Sequence, residues 1–375
     1  MARQIRVALI GIGNCASSLV QGISYYNNIG ANEFSPGIIH PKVGNYEIKD
    51  IKIVLGFDID ARKVGQFLSE AIFAKPNVAS KYMKVPKNEA PVYMGPILDG
   101  NPKHMKDIDP DKAIILSSNN PVDVVKKLQE HKVEVVVNYL PVGSKKATEF
   151  YAQCSIDANC AFVNCMPIFI GSNEEWVKRF KKAGIPVLGD DIKSQLGATW
   201  AHRMAIQAYL DRGIKICFTK QENYGGNTDF LNMTSSERIK TKLLSKKSSI
   251  EHLIKDHSKG GYLIPPVYAG PGSKHNNHGY IKGLGDNKIA KIRLEGKGFG
   301  NRQINMDIRL EVEDSPNSAG VVVDAIRCAK LGLDRKIGGA ITSASSFLFK
   351  HPYEKIDDKK AINRIEGFIK GDLMR

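Results

Sequence analysis

Residues 5–18 read Ile5-Arg6-Val7-Ala8-Leu9-Ile10-Gly11-Ile12-Gly13-Asn14-Cys15-Ala16-Ser17-Ser18. A β-branched apolar run ends in a Gly-x-Gly turn. After the turn, from Ala16 to Tyr26, Leu19, Val20, Ile23 and Tyr26 recur at helical spacing. The pattern predicts strand, glycine turn, helix. In such a unit Gly11 makes the tight turn, Gly13 lets the backbone approach a diphosphate, and Ala16 stands where a third glycine usually packs helix on strand. Phosphates then rest on the helix N-terminus, where unpaired N–H groups and the helix dipole favour anions. A glycine turn without ligand is the bland alternative, and the strand-to-helix context near the N-terminus weighs against it.

The rest of the chain repeats this alternation. A second apolar run, Ile51 to Phe57, ends in Asp58-Ile59-Asp60. An acid at that point accepts the ribose hydroxyls of a dinucleotide, and it favours NAD over NADP. Asp58 lies 45 residues past Gly13, against the usual spacing of about 20. A loop at 27–50 accounts for the excess, and a second polar, proline-containing stretch spans 75–110. Pro121 to His131 reads as a helix with proline at its first position. Val133 to Val137 reads as a strand, Ser144 to Ala158 a helix, Ala161 to Asn164 a strand, Asn173 to Lys182 a helix and Ile185 to Leu188 a strand. Short β-branched strands between amphipathic helices predict a parallel sheet covered on both faces.

Beyond residue 200 the texture changes. Ile304, Met306, Ile308, Leu310 and Val312 alternate with polar residues, a strand with one wet face. It follows Ile289 to Glu295 across a glycine-rich turn, so a hairpin is expected, with a helix returning from Asn317 to Leu331. The expected fold is α/β: a Rossmann-like nucleotide domain of residues 1–199 plus 313–375, with an inserted α+β mixed-sheet domain at 200–312.

Composition narrows the function. The 375 residues carry 54 Lys and Arg against 39 Asp and Glu, a net charge of +15. Such a surplus suits nucleic acid, a membrane surface or a pocket for an anionic small molecule. No apolar run approaches the ~18 residues of a membrane span, and no signal-peptide pattern opens the chain. Six cysteines form no Cys-x-x-Cys pair, so free thiols in a reducing, cytoplasmic compartment are expected. Helix-turn-helix and aromatic–basic strand motifs for nucleic acid are missing. Residues 230–300 hold 13 Lys and Arg against 5 Asp and Glu, so more than half of the surplus falls in one stretch.

Three clusters could carry chemistry. Gly189-Asp190-Asp191-Ile192-Lys193-Ser194-Gln195 follows a strand end, where its acids could hold a cation or position a nicotinamide. Helix capping is the competing account. Lys242 and Lys246 share a helix face; on the residues alone a solvated basic face explains them, and also Lys288 and Lys350. His275 and His278 have metal-pair spacing but no evident third ligand. His202 reads as a packed or surface histidine.

Five co-linear motifs carry a resemblance that spans nearly the whole chain. They are Gly11-Ile12-Gly13-Asn14-Cys15-Ala16-Ser17-Ser18, Asn138-Tyr139-Leu140-Pro141-Val142-Gly143-Ser144, Gly189 to Gln195, Gly225-Gly226-Asn227-Thr228-Asp229-Phe230-Leu231-Asn232 and Glu313-Asp314-Ser315-Pro316-Asn317-Ser318-Ala319-Gly320. The sequence resembles the prokaryotic-type myo-inositol-1-phosphate synthases. These NAD-dependent cyclases convert D-glucose 6-phosphate to 1D-myo-inositol 3-phosphate by oxidation at C5, enolisation, aldol closure and re-reduction. The resemblance implies a glyceraldehyde-phosphate-dehydrogenase-like inserted domain that serves catalysis and assembly, a homotetramer, and a substrate partner of glucose 6-phosphate rather than nucleic acid or membrane.

The resemblance also implies site residues. Lys242 and Lys246 fall on the S-K-x-x-S-K element, with Thr241 in place of its first serine. Lys288 falls on the D-x-K element and Lys350 on the late lysine after an aromatic-rich helix. Lys242 and Lys350 are implied for proton transfer and oxyanion stabilisation, with Asp229 among the catalytic acids. Ser194, Lys246 and Lys288 are implied for the substrate phosphate. Gly11, Gly13, Asn14, Cys15, Asp58, Asn138, Asp191 and Asp314 are implied for NAD, held tightly and recycled. Asp191, Asp314 and Ser315 are implied for a divalent or monovalent cation. The rival on the same fold is an NAD-linked phospho-sugar dehydrogenase that releases NADH.

Overall fold

The computed structural model describes residues 3–28, 35–257, 267–271 and 279–375. The pair His275 and His278 lies outside them. In chain order the elements are β1 (Ile5–Ile10), α1 (Asn14–Asn27), β2 (Ile51–Asp58), α2 (Leu68–Ala71), β3 (Val92–Met94), α3 (Met105–Ile108), α4 (Val124–Glu130), β4 (Val135–Asn138), α5 (Lys145–Asp157), β5 (Ala161–Asn164), α6 (Glu174–Ala183) and β6 (Pro186–Leu188). There follow α7 (Ala198–Asp211), β7 (Lys215–Gly225), α8 (Thr228–Asn232), α9 (Lys240–His257), β8 (Val267–Pro271), β9 (Asn287–Lys297), β10 (Gln303–Glu313), α10 (Asp314–Asp334), β11 (Gly339–Ala340), α11 (Thr342–Leu348) and α12 (Asp358–Lys370).

Seven parallel strands form one sheet in the order β11-β6-β5-β4-β1-β2-β3. Strand alternation sends Ile5, Val7, Leu9, Val135 and Val137 to one face, where residues of α1, α10, α11 and α12 cover them. Ala8, Ile10, Val136 and Phe162 go to the other, under α4, α5 and α6. Both faces are dry, which is why the strands read as continuous apolar runs. The order reverses between β1 and β4, so the crevice at their carboxyl ends is the expected ligand position.

The second sheet runs β10-β9-β7-β8. The β9–β10 hairpin is antiparallel throughout, whereas β7 and β8 are parallel, so the sheet is mixed. It packs through Ile292 and Leu294 on α7 and α9. The alternating strand β10 stands at the sheet edge, and its apolar face is only half covered, with Ile304 38% exposed.

Three expected boundaries move. The helix expected to begin with Pro121 begins at Val124, because Asp123 caps it by accepting the Lys126 N–H at 3.0 Å. The stretch 75–110 is not wholly loop: its Val92–Met94 segment is the edge strand of the parallel sheet, too short to show a period. The helix expected from Asn317 starts at Asp314, since a proline in the first turn forfeits no helical bond.

Candidate active site

Gly11 has a φ of +83°, and a Cβ there would stand 2.8 Å from the Tyr139 carbonyl oxygen. Gly13 opens α1 with no side-chain cap, and a Cβ on it would meet nothing within 4 Å. The turn is therefore closed on the protein side and open on the other, with the helix N–H groups facing free space. Asp58, at the end of β2, accepts from the Ile12 N–H at 2.7 Å and from the Ile59 and Asp60 N–H groups. A carboxylate has about four acceptor sites, so it retains capacity for a hydroxyl. These features fit a dinucleotide.

One continuous cavity runs from this turn to the lysines. Gly11, Gly13, Asn14, Cys15, Asp58, Asp191, Ser194, Asp229, Lys242, Lys246, Lys288, Asp314, Ser315 and Lys350 all line it. Asn138 does not. Its amide is buried, donates to Asn164 Oδ1 at 2.8 Å and accepts from the Leu140 N–H, so it shapes the wall from behind. Asn14 bridges the two halves of the molecule: it accepts from the Val78 N–H at 2.7 Å and donates to Thr228 Oγ1 at 3.1 Å. Burial pushes the Cys15 thiol up to about 12, so it lines the cavity as a neutral group.

Asp191 is the hub. The segment around it pairs with the chain after α11, and the Lys350 N–H donates to Asp191 O at 2.8 Å. That pairing delivers the Lys350 ammonium to Asp191 Oδ1 at 2.9 Å. Lys242, from α9, reaches the same oxygen at 3.2 Å, and Ser245 Oγ donates to Oδ2 at 2.7 Å. Residues 242, 245 and 246 share one face of α9, which explains why Lys242 and Lys246 line the cavity while Ser245, between them, meets Asp191. Lys242 also stands 4.0 Å from Asp229 Oδ2. Lys288, at the start of β9, donates to Asp314 Oδ1 at 2.8 Å.

Electrostatics separates the four lysines. Burial opposes charge on Asp191, but Lys242 and Lys350 outweigh it and hold the carboxyl well below the usual range. Burial also disfavours the Lys242 ammonium, yet Asp191 and Asp229 reverse this and raise its pKa. Lys242 is therefore a fixed cation, set apart from Lys350 and Lys246, whose pKa values are lowered. Lys350 is lowered, chiefly by burial, with Lys242 and Lys288 adding to it against Asp191. Lys246 is lowered furthest in kind: burial and the charges of Lys288, Lys242 and Lys350 all act on it. Its amine is 4% exposed as a residue and makes no hydrogen bond or ion pair among the described residues.

The residues expected to hold a cation do not fit one as arranged. Asp191 and Asp314 are engaged by ammoniums, and Ser315 Oγ donates to Asp286 at 2.9 Å. No group of three or more His, Cys, Asp or Glu side chains that could hold a metal occurs among the described residues.

Several members of the site lie inside the motifs quoted above but were given no role there. Ser245 hides between the two lysines. Asn227 donates to both Asp286 Oδ1 and Asp314 Oδ2, at 3.1 and 3.4 Å, tying the start of β9 to the start of α10. Lys193 is buried, which pulls its amine down to about 8, and it pairs with Asp358 at 3.6 Å. No helix among the described residues is long and apolar enough to cross a membrane.

Comparison with known proteins finds relatives along nearly the whole chain. The family described as myo-inositol-1-phosphate synthase matches residues 197–315. The chain is 47% identical over 370 residues to the inositol-3-phosphate synthase of Mycolicibacterium smegmatis, covering 99% of each. It is 46% identical to that of Corynebacterium glutamicum, covering 97% of this chain and 98% of the relative. Among solved structures it is similar to a myo-inositol-1-phosphate synthase-related protein from Thermotoga maritima, with a TM-score of 0.79, 25% identity, and coverage of 98% and 99%.

Proposed function

The chain belongs to the myo-inositol-1-phosphate synthase family, and from that premise we propose that it cyclises D-glucose 6-phosphate to 1D-myo-inositol 3-phosphate with NAD as a recycled cofactor. The observation that carries the reading is the cavity joining an open glycine turn to four lysines, one of which makes no ion pair among the described residues. Glucose 6-phosphate supplies the anion, and its cyclisation develops negative charge on oxygen at each stage.

NAD, when bound, supplies hydride removal and return at C5, with no net redox change. Gly11, Gly13, Asn14, Cys15 and Asp58 hold its diphosphate and ribose end, and Asp191 and Asp314 border its nicotinamide end. Asn138 supports that wall without contact.

Lys246, buried and without an ion pair among the described residues, is the group that most favours a phosphate dianion; Lys288 and Ser194 complete that subsite. Lys242, locked as a cation by Asp191 and Asp229, stabilises the oxyanions at C5 and C1. Lys350 has a lowered pKa and moves the proton at C6. Asp229 holds Lys242 in its charged form. The residues 1–199 plus 313–375 form the nucleotide domain and 200–312 the catalytic and assembly domain, with the half-covered β10 at a homotetramer interface. The compartment is the cytoplasm.

Phosphorus NMR of the product formed from glucose 6-phosphate and NAD tests the reading. Inositol phosphate with no accumulation of NADH at 340 nm supports it. Sustained NADH release with no inositol phosphate would instead establish the phospho-sugar dehydrogenase.

A further inference from the structure

Lys63 is a buried amine that the chemistry above does not use. It is 3% exposed and borders the cavity beside the glycine turn. The acids that act on it, Asp58 and Asp60, are committed elsewhere: Asp58 to three backbone N–H groups and Asp60 to Arg62. Its Nζ donates instead to the Ile12 carbonyl at 2.7 Å and to Asn77 Oδ1 at 2.9 Å. Asn77 Nδ2 donates to the same carbonyl at 3.1 Å.

One carbonyl inside the glycine turn therefore receives both an ammonium and an amide. The peptide bond is planar and trans, so the Ile12 carbonyl and the Gly13 N–H point in opposite directions. Fixing the carbonyl fixes where the N–H aims. A cation on the carbonyl also polarises the peptide and strengthens its N–H as a donor.

We propose that Lys63 is a positioning residue for the dinucleotide diphosphate: it clamps and polarises the Ile12–Gly13 peptide so that the Gly13 N–H is a fixed, strengthened donor. The inference rests on the dinucleotide reading above. It also accounts for the burial. An ammonium without a carboxylate partner is costly to bury, and the diphosphate brings the missing negative charge to the same loop. Asn77 alone could hold the carbonyl in place but could not supply charge.

Calorimetric titration of the full chain with NAD, ADP-ribose and adenosine tests this. Lys63→Met is expected to weaken NAD and ADP-ribose by the same factor, about tenfold, the size of one charge-assisted hydrogen bond. Adenosine, which lacks the diphosphate, is expected to bind unchanged. Lys63→Arg is expected to recover most of the loss, and Lys63→Gln, which keeps a donor but no charge, to recover little. Unchanged NAD affinity in Lys63→Met overturns the proposal, as does an equal loss for adenosine, which marks general loosening. If Lys63→Met does not fold, the Arg and Gln variants decide by the same comparison, and equal affinity in both overturns the proposal. Failure of the unmodified chain to bind NAD is a separate outcome: it removes the dinucleotide reading and this proposal with it.

Discussion

Lys350 is tied to Asp191 twice, by its backbone N–H to Asp191 O at 2.8 Å and by its ammonium to Asp191 Oδ1 at 2.9 Å. The backbone bond positions the side chain, and the carboxylate shares its charge between Lys350 and Lys242. Asp191→Asn keeps the shape and removes the charge. Two buried ammoniums then face each other with only Asp229, 4.0 Å from Lys242, to offset them. Activity is expected to fall at least about 100-fold, and the melting temperature to drop, since breaking a buried ion pair costs about 3–5 kcal/mol. Steady-state rates and thermal unfolding of the variant check both.

Lys242 and Lys350 are predicted to give different pH signatures. Lys350 has a pKa lowered from the ordinary 10.5, partly by the charge of Lys242. If it works as a base, kcat rises with pH to a plateau, with the midpoint of the rise below that value. Lys350→Ala should remove this rise and lower kcat by about 10²–10⁴-fold. Lys242→Met removes a neighbouring positive charge, so the Lys350 pKa goes up and the rise moves to higher pH, on a reduced kcat. Product formation measured across pH distinguishes the two.

Lys246 is predicted to act on binding. Removing an amine that lies 4% exposed and makes no ion pair among the described residues should relieve a cost in the empty protein and remove a phosphate partner in the loaded one. Lys246→Ala is expected to raise KM for glucose 6-phosphate by about tenfold or more, the scale of a charge-assisted bond, with the melting temperature unchanged or higher. A KM equal to that of the unaltered chain would assign the phosphate to other residues.

Much of this architecture is legible in the residues. The run from Ile5 to Ser18 specifies strand, turn and helix because apolar period and glycine placement agree there. The alternation in Ile304 to Val312 specifies a strand for the same reason. Asp58 is legible as a strand-end acid. The lysines are not legible by pattern, because Lys242 and Lys246 on a helix look like any wet basic face until Asp191 is brought across from residue 191. Only the motif resemblance singles them out. Asn227 and Ser245 stand inside quoted motifs and Lys63 stands outside them, but the role of none is legible locally, since each matters through a partner remote in sequence. The three-residue strand Val92–Met94 is too short to display a period at all, and it forms because β2 offers an open edge.

Gly11 and Gly13 make a discriminating pair. Gly11 has a positive φ and a carbonyl 2.8 Å from where a Cβ would lie, whereas Gly13 has extended backbone and open space. Gly11→Ala is therefore expected to destabilise the fold by more than about 1 kcal/mol. Gly13→Val is expected to leave stability nearly unchanged and to abolish detectable NAD binding, because the new side chain fills the cradle. Thermal unfolding and NAD titration of the two variants read the two effects separately.

His202 connects pH to stability. It is fully buried on α7, with Nε2 2.6 Å from Thr219 Oγ1, and burial drives its pKa from 6.5 down to about 4. The folded state therefore excludes a proton that the unfolded chain accepts below about pH 6.5. Its contribution is fully present above that pH and is lost as pH falls towards 4, by up to about 3 kcal/mol. His202→Gln keeps a polar group at the position but cannot titrate. The variant should be the less stable chain at pH 7.5, where the native contact is intact. The gap between the two melting temperatures should then shrink steadily between pH 6.5 and 4. A gap that stays constant across that window would show that His202 does not titrate between the folded and unfolded states.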